Sequence, residues 1–194
     1  MAADCLKLTS LAAPPSPTIL EVLSSWAKDT NVVKRSRIPT EKKVLAAVMC
    51  ASGYTSRDVS KILGGISHVA VHDAHKSVTA ALPSLDKKRR LVSIEENAVY
   101  LNKNLPGVIW LARDVESGEI LSFRCSVKRS PEEGKKFIDS VLAVCTDRPL
   151  LRVGRGPGFP HSLKSLDLYF QIDTTATIRQ RISKFFLGSP EPRR

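Results

Sequence analysis

Three histidines are the first residues along the chain whose types and spacing suggest chemistry. His68, His72 and His75 lie four and three positions apart, so on a helix they share one side. Imidazoles at that spacing can ligate a metal, yet no carboxylate or cysteine completes a set, and no metal is expected. A second chemistry fits the neighbourhood better. Val71, Ala74, Val78 and Leu82 make an apolar stripe along the same segment, while Ser67 and Lys76 join the histidines on a polar side. A recognition helix in a major groove needs this division, with its early polar residues reaching base edges. Ser67, His68, His72, His75 and Lys76 are therefore candidate base contacts, and the imidazoles would make affinity pH dependent near neutrality.

Basic residues gather around this segment. Lys34, Arg35 and Arg37 stand in a short connector before it, Arg57 and Lys61 in the preceding helical stretch, and Lys87, Lys88, Arg89 and Arg90 in an unbroken run after it. All nine are candidate phosphate contacts, which bring salt-dependent affinity and little sequence information. The chain carries a formal net charge of +11 over 194 residues. Residues 1–90 hold 14 Lys/Arg against 7 Asp/Glu, and residues 91–194 hold 16 against 12. A soluble basic protein with this bias fits an anionic partner, and double-stranded DNA is the one expected.

The elements that must position these residues can be read from caps and periodicity. Residues 1–39 hold a loose Ala/Pro/Ser-rich start, then a possible helix capped by Ser16 and opened by Pro17, with Ile19, Val22, Leu23 and Trp26 as its stripe. The basic connector follows. Residues 40–83 give three short helices: one from Thr40 ended by Gly53, one capped by Thr55 and ended by Gly64 and Gly65, and one capped by Ser67. A tight glycine turn before the last of them predicts a helix-turn-helix. Residues 84–90 form a basic linker.

Beyond the linker the period changes to that of strands. Two runs, from Val92 and from Gly107, predict a three-strand meander with Glu116, Ser117 and Gly118 turning the second strand into the third. Ser130, Pro131 and Glu133 start a helix running to about Cys145. A strand over 149–154, a loop from Arg155 to Pro160, a short helix, a strand over 168–173 and a basic amphipathic tail helix follow, with a frayed end at 189–194. The fold class is α/β, with a mixed sheet covered by helices. Hydrophobic content of 42% supplies real cores. No apolar run approaches a membrane span, and the start lacks the pattern of a signal peptide. Cys5, Cys50, Cys125 and Cys145 are scattered, without zinc-ligand spacing, and read as reduced thiols of an intracellular protein.

The order of these segments, with the stretches GVIWLARDVESGEILSFRCS, RSPEEGKKFI, GRGPGFPHSL and RQRISKFF, resembles the DDE-type insertion-sequence transposases, above all their archaeal members. The resemblance spans roughly residues 40–188. It implies an RNase-H-like integrase core over 91–188 and three carboxylates that hold two divalent metals for strand transfer. Position by position, the acids are degenerate. Glu95 stands where the first aspartate would be, and Gly154 replaces the second. No glutamate occurs between Glu133 and Glu191 to serve as the third, and Asp173 sits at a strand end.

These readings imply a transposase-derived DNA-binding protein, catalytically inactive and without cofactor, working as a chromatin protein or a transcriptional regulator on the chromosome. Two alternatives stand beside it: a residual metal-dependent nuclease using Glu95 with Asp114 or Asp173, and a protein-interaction module. A homodimer is expected, joined through the helix around Ile19 to Trp26, through an exposed second face of the sheet, or through the Phe185–Phe186 segment.

Overall fold

The computed structural model describes residues 17–34, 36–82, 88–154, 163, 166 and 168–172. The expected loose start, the loop from Arg155 to Pro160, most of the short helix before the last strand, Asp173, the tail helix and the frayed end lie outside these residues, as do Arg35 and Lys87.

Four helices lead. α1 spans Ile19–Asp29, α2 Thr40–Ala51, α3 Ser56–Leu63 and α4 His68–Ala80. The cap of α1 is Thr18, where the sequence suggested Ser16. Thr18 Oγ1 accepts from the Glu21 N–H, and Glu21 returns a bond to the Thr18 N–H, a reciprocal pair that the T-x-x-E spacing permits. Thr55 and Ser67 cap α3 and α4 as their spacing predicts, accepting from the N–H groups of Asp58 and Ala70. The turn between α3 and α4 needs glycine twice, since Gly64 and Gly65 have φ of 58° and 56°. Ser60 Oγ donates to the Ile66 carbonyl at 2.7 Å and ties the turn together.

The sheet follows as β1 (Leu91–Asn102), β2 (Leu105–Asp114) and β3 (Ile120–Ser126), then α5 (Pro131–Leu142), β4 (Leu150–Val153) and β5 (Phe170–Ile172). Strand order is β3-β2-β1-β4-β5. The first three are antiparallel, while β4 joins β1 and β5 joins β4 in parallel. The sheet is mixed, with α5 as the helical crossover between β3 and β4. The β1–β2 hairpin is tighter than the sequence suggested, since Asn102 already pairs with Leu105. Gly107 lets Leu101 pack closely beside it: a Cβ there would lie 3.0 Å from Leu101 Cγ, and that side chain would have to give by a few tenths of an ångström. α5 begins at its Ser130 cap and stops at Leu142, short of Cys145, whose thiol turns back to the Val141 carbonyl at 3.3 Å.

Both faces of the meander are covered. Val92, Ile94, Trp110, Ala112 and Leu121 pack against Phe137, Ile138 and Val141 of α5, with Trp110 stacked on Phe137 at 6.1 Å between ring centres. On the opposite face Ile109, Leu111, Phe123 and Cys125 share one apolar cluster with Ile19, Leu23, Val44, Val48, Val71 and Val78 of the helices. The pleat explains this, because β2 reads Ile-Trp-Leu-Ala without a polar break and so has to be buried on both sides. Polar ties reinforce the docking. Asn97 Oδ1 accepts from the Ile19 N–H at 3.0 Å, and Ser52 Oγ accepts from the Cys125 N–H at 2.6 Å. The helices and the sheet are therefore joined through a common core.

This packing corrects the dimer expectation at one of its three surfaces, the second face of the sheet, which is occupied by the protein's own helices. Ile19 and Leu23 of α1 are wholly inside, with Val22 and Trp26 packed against the same cluster. The Phe185–Phe186 segment is outside the described residues.

Candidate nucleic-acid interface

α4 owes its position to its apolar stripe. Val71, Ala74 and Val78 are buried, and Leu82 packs against the same cluster. The rest of the helix is turned outward. Ser67, His68, His72 and Lys76 are exposed, while His75 is half-buried on the flank. The structure therefore spreads the five predicted base contacts over the outer half of the helix instead of one line. His72 Nδ1 lies 3.6 Å from Asp73 Oδ1. The Ser67 hydroxyl already serves the helix by accepting from the Ala70 N–H at 3.2 Å.

Of the residues directly opposite the core, sequence reasoning named Lys76 and missed the other three. Val69, Asp73, Lys76 and Ala80 follow one another at four, three and four positions and are all exposed, which places them along the outermost ridge of the helix. Val69 is 56% exposed. The signal was available, since Val69 falls outside the i, i+3, i+7 stripe begun by Val71.

The predicted phosphate contacts divide. Lys34, Arg37, Arg57, Lys61, Lys88 and Arg90 are exposed. The connector bearing Lys34 is held down by Lys43, a buried lysine of α2 whose Nζ donates to the Lys34 carbonyl at 2.6 Å. Arg90 keeps its guanidinium in solvent, 3.9 Å from Glu116. Arg89 differs from its neighbours, a correction to its expected place among the phosphate contacts. It is 3% exposed, with Nη1 2.8 Å from both Asp114 Oδ2 and Glu119 Oε2. Burial pushes its pKa down, but the bonds to Asp114 and Glu119 outweigh that and raise it. A guanidinium held this way anchors the linker and is turned away from any phosphate.

Of the positions that would hold catalytic acids, Glu95 and Gly154 each directly follow Ile94 and Val153, the last parallel pair between β1 and β4. Glu95 is engaged by Arg113, whose Nη2 lies 2.5 Å from Oε1. Gly154 offers no side-chain ligand, and a Cβ built there would meet nothing within 4 Å. Glu96 points to the other face, where it accepts from Trp110 Nε1 at 3.2 Å and pairs with Arg129. Asp114, one of the two acids considered as a partner for Glu95, is committed to Arg89 and to the turn, accepting from Ser117 Oγ at 2.8 Å and from the Glu116 N–H at 3.1 Å; the other, Asp173, lies outside the described residues. Among the described residues no group of three or more His, Cys, Asp or Glu is placed to hold a metal ion.

Comparison with known proteins gives remote likenesses. No family model matches the chain. An uncharacterized protein of Methanocaldococcus jannaschii, MJ0017, is 28% identical over 171 residues, covering 86% of this chain and 79% of that protein. Among solved structures, a chain of the simian T-cell lymphotropic virus intasome in complex with PP2A regulatory subunit B56 gamma aligns with 76% of this chain at 16% identity and a TM-score of 0.38. This protein spans 60% of that chain's length. No helix among the described residues is long and apolar enough to cross a membrane.

Proposed function

We propose that this protein binds double-stranded DNA through α4, used as the recognition helix of a helix-turn-helix made by α2, α3 and α4. The observation that carries the reading is the division of α4: an apolar back seated in the core, and an outer half bearing Ser67, His68, His72 and Lys76 on a strongly basic chain. Direct readout needs that geometry. Lys34, Arg37, Arg57, Lys61, Lys88 and Arg90 supply the phosphate contacts, and Arg89 is no longer among them. The two-glycine turn and the Ser60–Ile66 bond fix α3 against α4 and support the motif.

The same proposal holds that strand-transfer chemistry has been lost. Glu95 is neutralised by Arg113, and Gly154 has nothing to offer a cation. Two-metal catalysis needs carboxylates free to clamp both ions. What remains is a binding protein, acting as a chromosome-architectural factor or a transcriptional regulator.

The test is duplex binding by fluorescence anisotropy at several salt concentrations. Affinity well tighter than about 10⁻⁴ M at moderate salt, falling steeply as salt rises, is expected. Affinity no better than that limit, or insensitive to salt, would mean a protein-interaction module instead. Incubating supercoiled plasmid with the protein and Mg²⁺ or Mn²⁺ is expected to leave it intact. Nicking that disappears in Glu95→Ala would overturn the inactive reading. Genome-wide occupancy of the tagged protein separates the two binding roles, sharp peaks marking a regulator and broad coverage an architectural protein.

A further inference from the structure

Resting on the DNA-binding reading, we propose that Val69 is a specificity-determining contact that reads the 5-methyl group of a thymine in the major groove. Val69 is the second residue of α4 and stands 56% exposed on the ridge opposite the buried Val71, Ala74 and Val78. Neither packing nor local propensity accounts for a β-branched side chain there. It touches no core, and valine is a weaker helix former than the alanine, lysine or glutamate an exposed helical site favours. Its place near the N-terminal end of the helix is the place from which a recognition helix reaches base edges. The feature that distinguishes thymine in the major groove is an apolar methyl group, and apolar side chains are what contact it.

Its neighbours argue that this ridge meets bases and not only phosphates. Asp73, one turn along, is exposed; a carboxylate facing a phosphate would repel it, whereas it can accept from the amino group of a cytosine. Lys76, the next residue on the ridge, and the chain's charge of +11 supply the complementarity to DNA. A protein partner is the competing occupant of an exposed valine, and the test separates the two.

The full chain is first used to select its preferred duplex from a random pool. Binding is then compared on that duplex with each thymine in turn replaced by uracil, which keeps the base pair and removes only the methyl group. The selected site is expected to contain at least one thymine whose replacement weakens binding about fourfold, the effect of burying one methyl group. Val69→Ser should bind thymine and uracil duplexes equally, and Val69→Thr, which keeps a methyl group, should restore part of the difference. Val69 lies outside the core, so both variants should match the parent in thermal unfolding. Wild-type protein that holds its selected duplex with no thymine–uracil difference anywhere overturns the inference and leaves the DNA reading standing. A thymine–uracil difference that survives in Val69→Ser also overturns it, since the methyl group is then read elsewhere. No retention of any duplex overturns both.

Discussion

Arg89 Nη1 lies 2.8 Å from Asp114 Oδ2, and both side chains are almost wholly buried. The pair joins the end of the basic linker to the end of β2, across 25 positions of sequence. The Arg89 N–H also donates to Asp147 Oδ1 at 3.3 Å, so linker, meander and the approach to β4 meet at one arginine. Removing one partner of a buried ion pair strands the other charge, at a cost of about 3–5 kcal/mol. Arg89→Ala, which strands the Asp114 carboxylate, should lose stability on that scale in denaturant unfolding; Asp114→Asn, which leaves Arg89 its contact with Glu119, should lose less, and Arg90→Ala, one residue away and in solvent, almost none. Equal effects at the two arginines would contradict the anchoring role.

The same pair predicts the acid limit. Burial pushes the Asp114 carboxyl up, but the bonds from Arg89, Ser117 and the Glu116 N–H prevail and hold it below its ordinary value. A carboxyl more acidic in the folded than in the unfolded chain stabilises the fold fully above its unfolded pKa of about 3.9, and that stability drains away as pH falls through the lower folded value. Wild-type stability should therefore decline steeply below about pH 4, and Asp114→Asn should show a shallower decline from a lower starting point. Parallel pH profiles for the two proteins would show that Asp114 is not the group responsible.

Much of this organisation is legible in the sequence alone. Ser130-Pro131 with Glu133 marks the start of α5, and Thr55, Ser67 and the glycine pair mark the helical turn, because caps and left-handed residues are local chemistry. What escapes is non-local. Four consecutive basic residues give no sign that one of them has Asp114 and Glu119 waiting, so Arg89 reads like its neighbours. The docking of the helices on the sheet leaves a trace in the unbroken Ile109-Trp110-Leu111-Ala112 run, yet a strand buried on both sides does not say which element covers it. Val69 could be read as lying off the Val71, Ala74 and Val78 stripe, but only the docked helix shows how far out its ridge stands.

Phosphate contacts have their own signature. Removing one cation that neutralises a phosphate should lower the slope of log affinity against log salt by about 0.9, with similar effects on every duplex sequence. Lys88→Ala, Arg90→Ala, Arg57→Ala and Lys61→Ala should each do so. Lys135→Ala, an exposed lysine on α5 beyond the sheet, should leave the slope unchanged. If Lys135 behaved like the others, the basic charge would be acting as a diffuse field and not through a defined surface.

Thiol chemistry should report on the core. Burial pushes the Cys125 thiol up to about 12, and the thiolate is the reactive form. Cys50 and Cys145, also raised by burial, are only half-buried. Alkylation of the native protein at mildly alkaline pH, mapped by peptide mass, should leave Cys125 unmodified until the chain unfolds. Rapid labelling of Cys125 in the folded state would mean that α2 lifts from the sheet on its own.

Ser52 gives the sharpest test of whether the helices and sheet behave as one body. It stands at the C-terminal cap of α2, where its hydroxyl donates to the Val48 carbonyl at 2.7 Å and accepts the Cys125 N–H of β3 at 2.6 Å. Ser52→Ala leaves that strand N–H without its acceptor in a buried setting, a loss of about 1–3 kcal/mol. Because Phe123 and Cys125 lie in the same cluster as Leu23, Val48 and Val78, weakening this tie should lower the stability of both parts together. In a Trp26→Phe background the fluorescence of Trp110 follows the sheet, and helical circular dichroism is dominated by α1 to α4. Their midpoints should coincide in the parent and shift by the same amount in Ser52→Ala, as a single cooperative unit requires. A helical signal that melted ahead of Trp110 would show α4 to be carried on a separable domain, and the common core would then be a junction between two folding units.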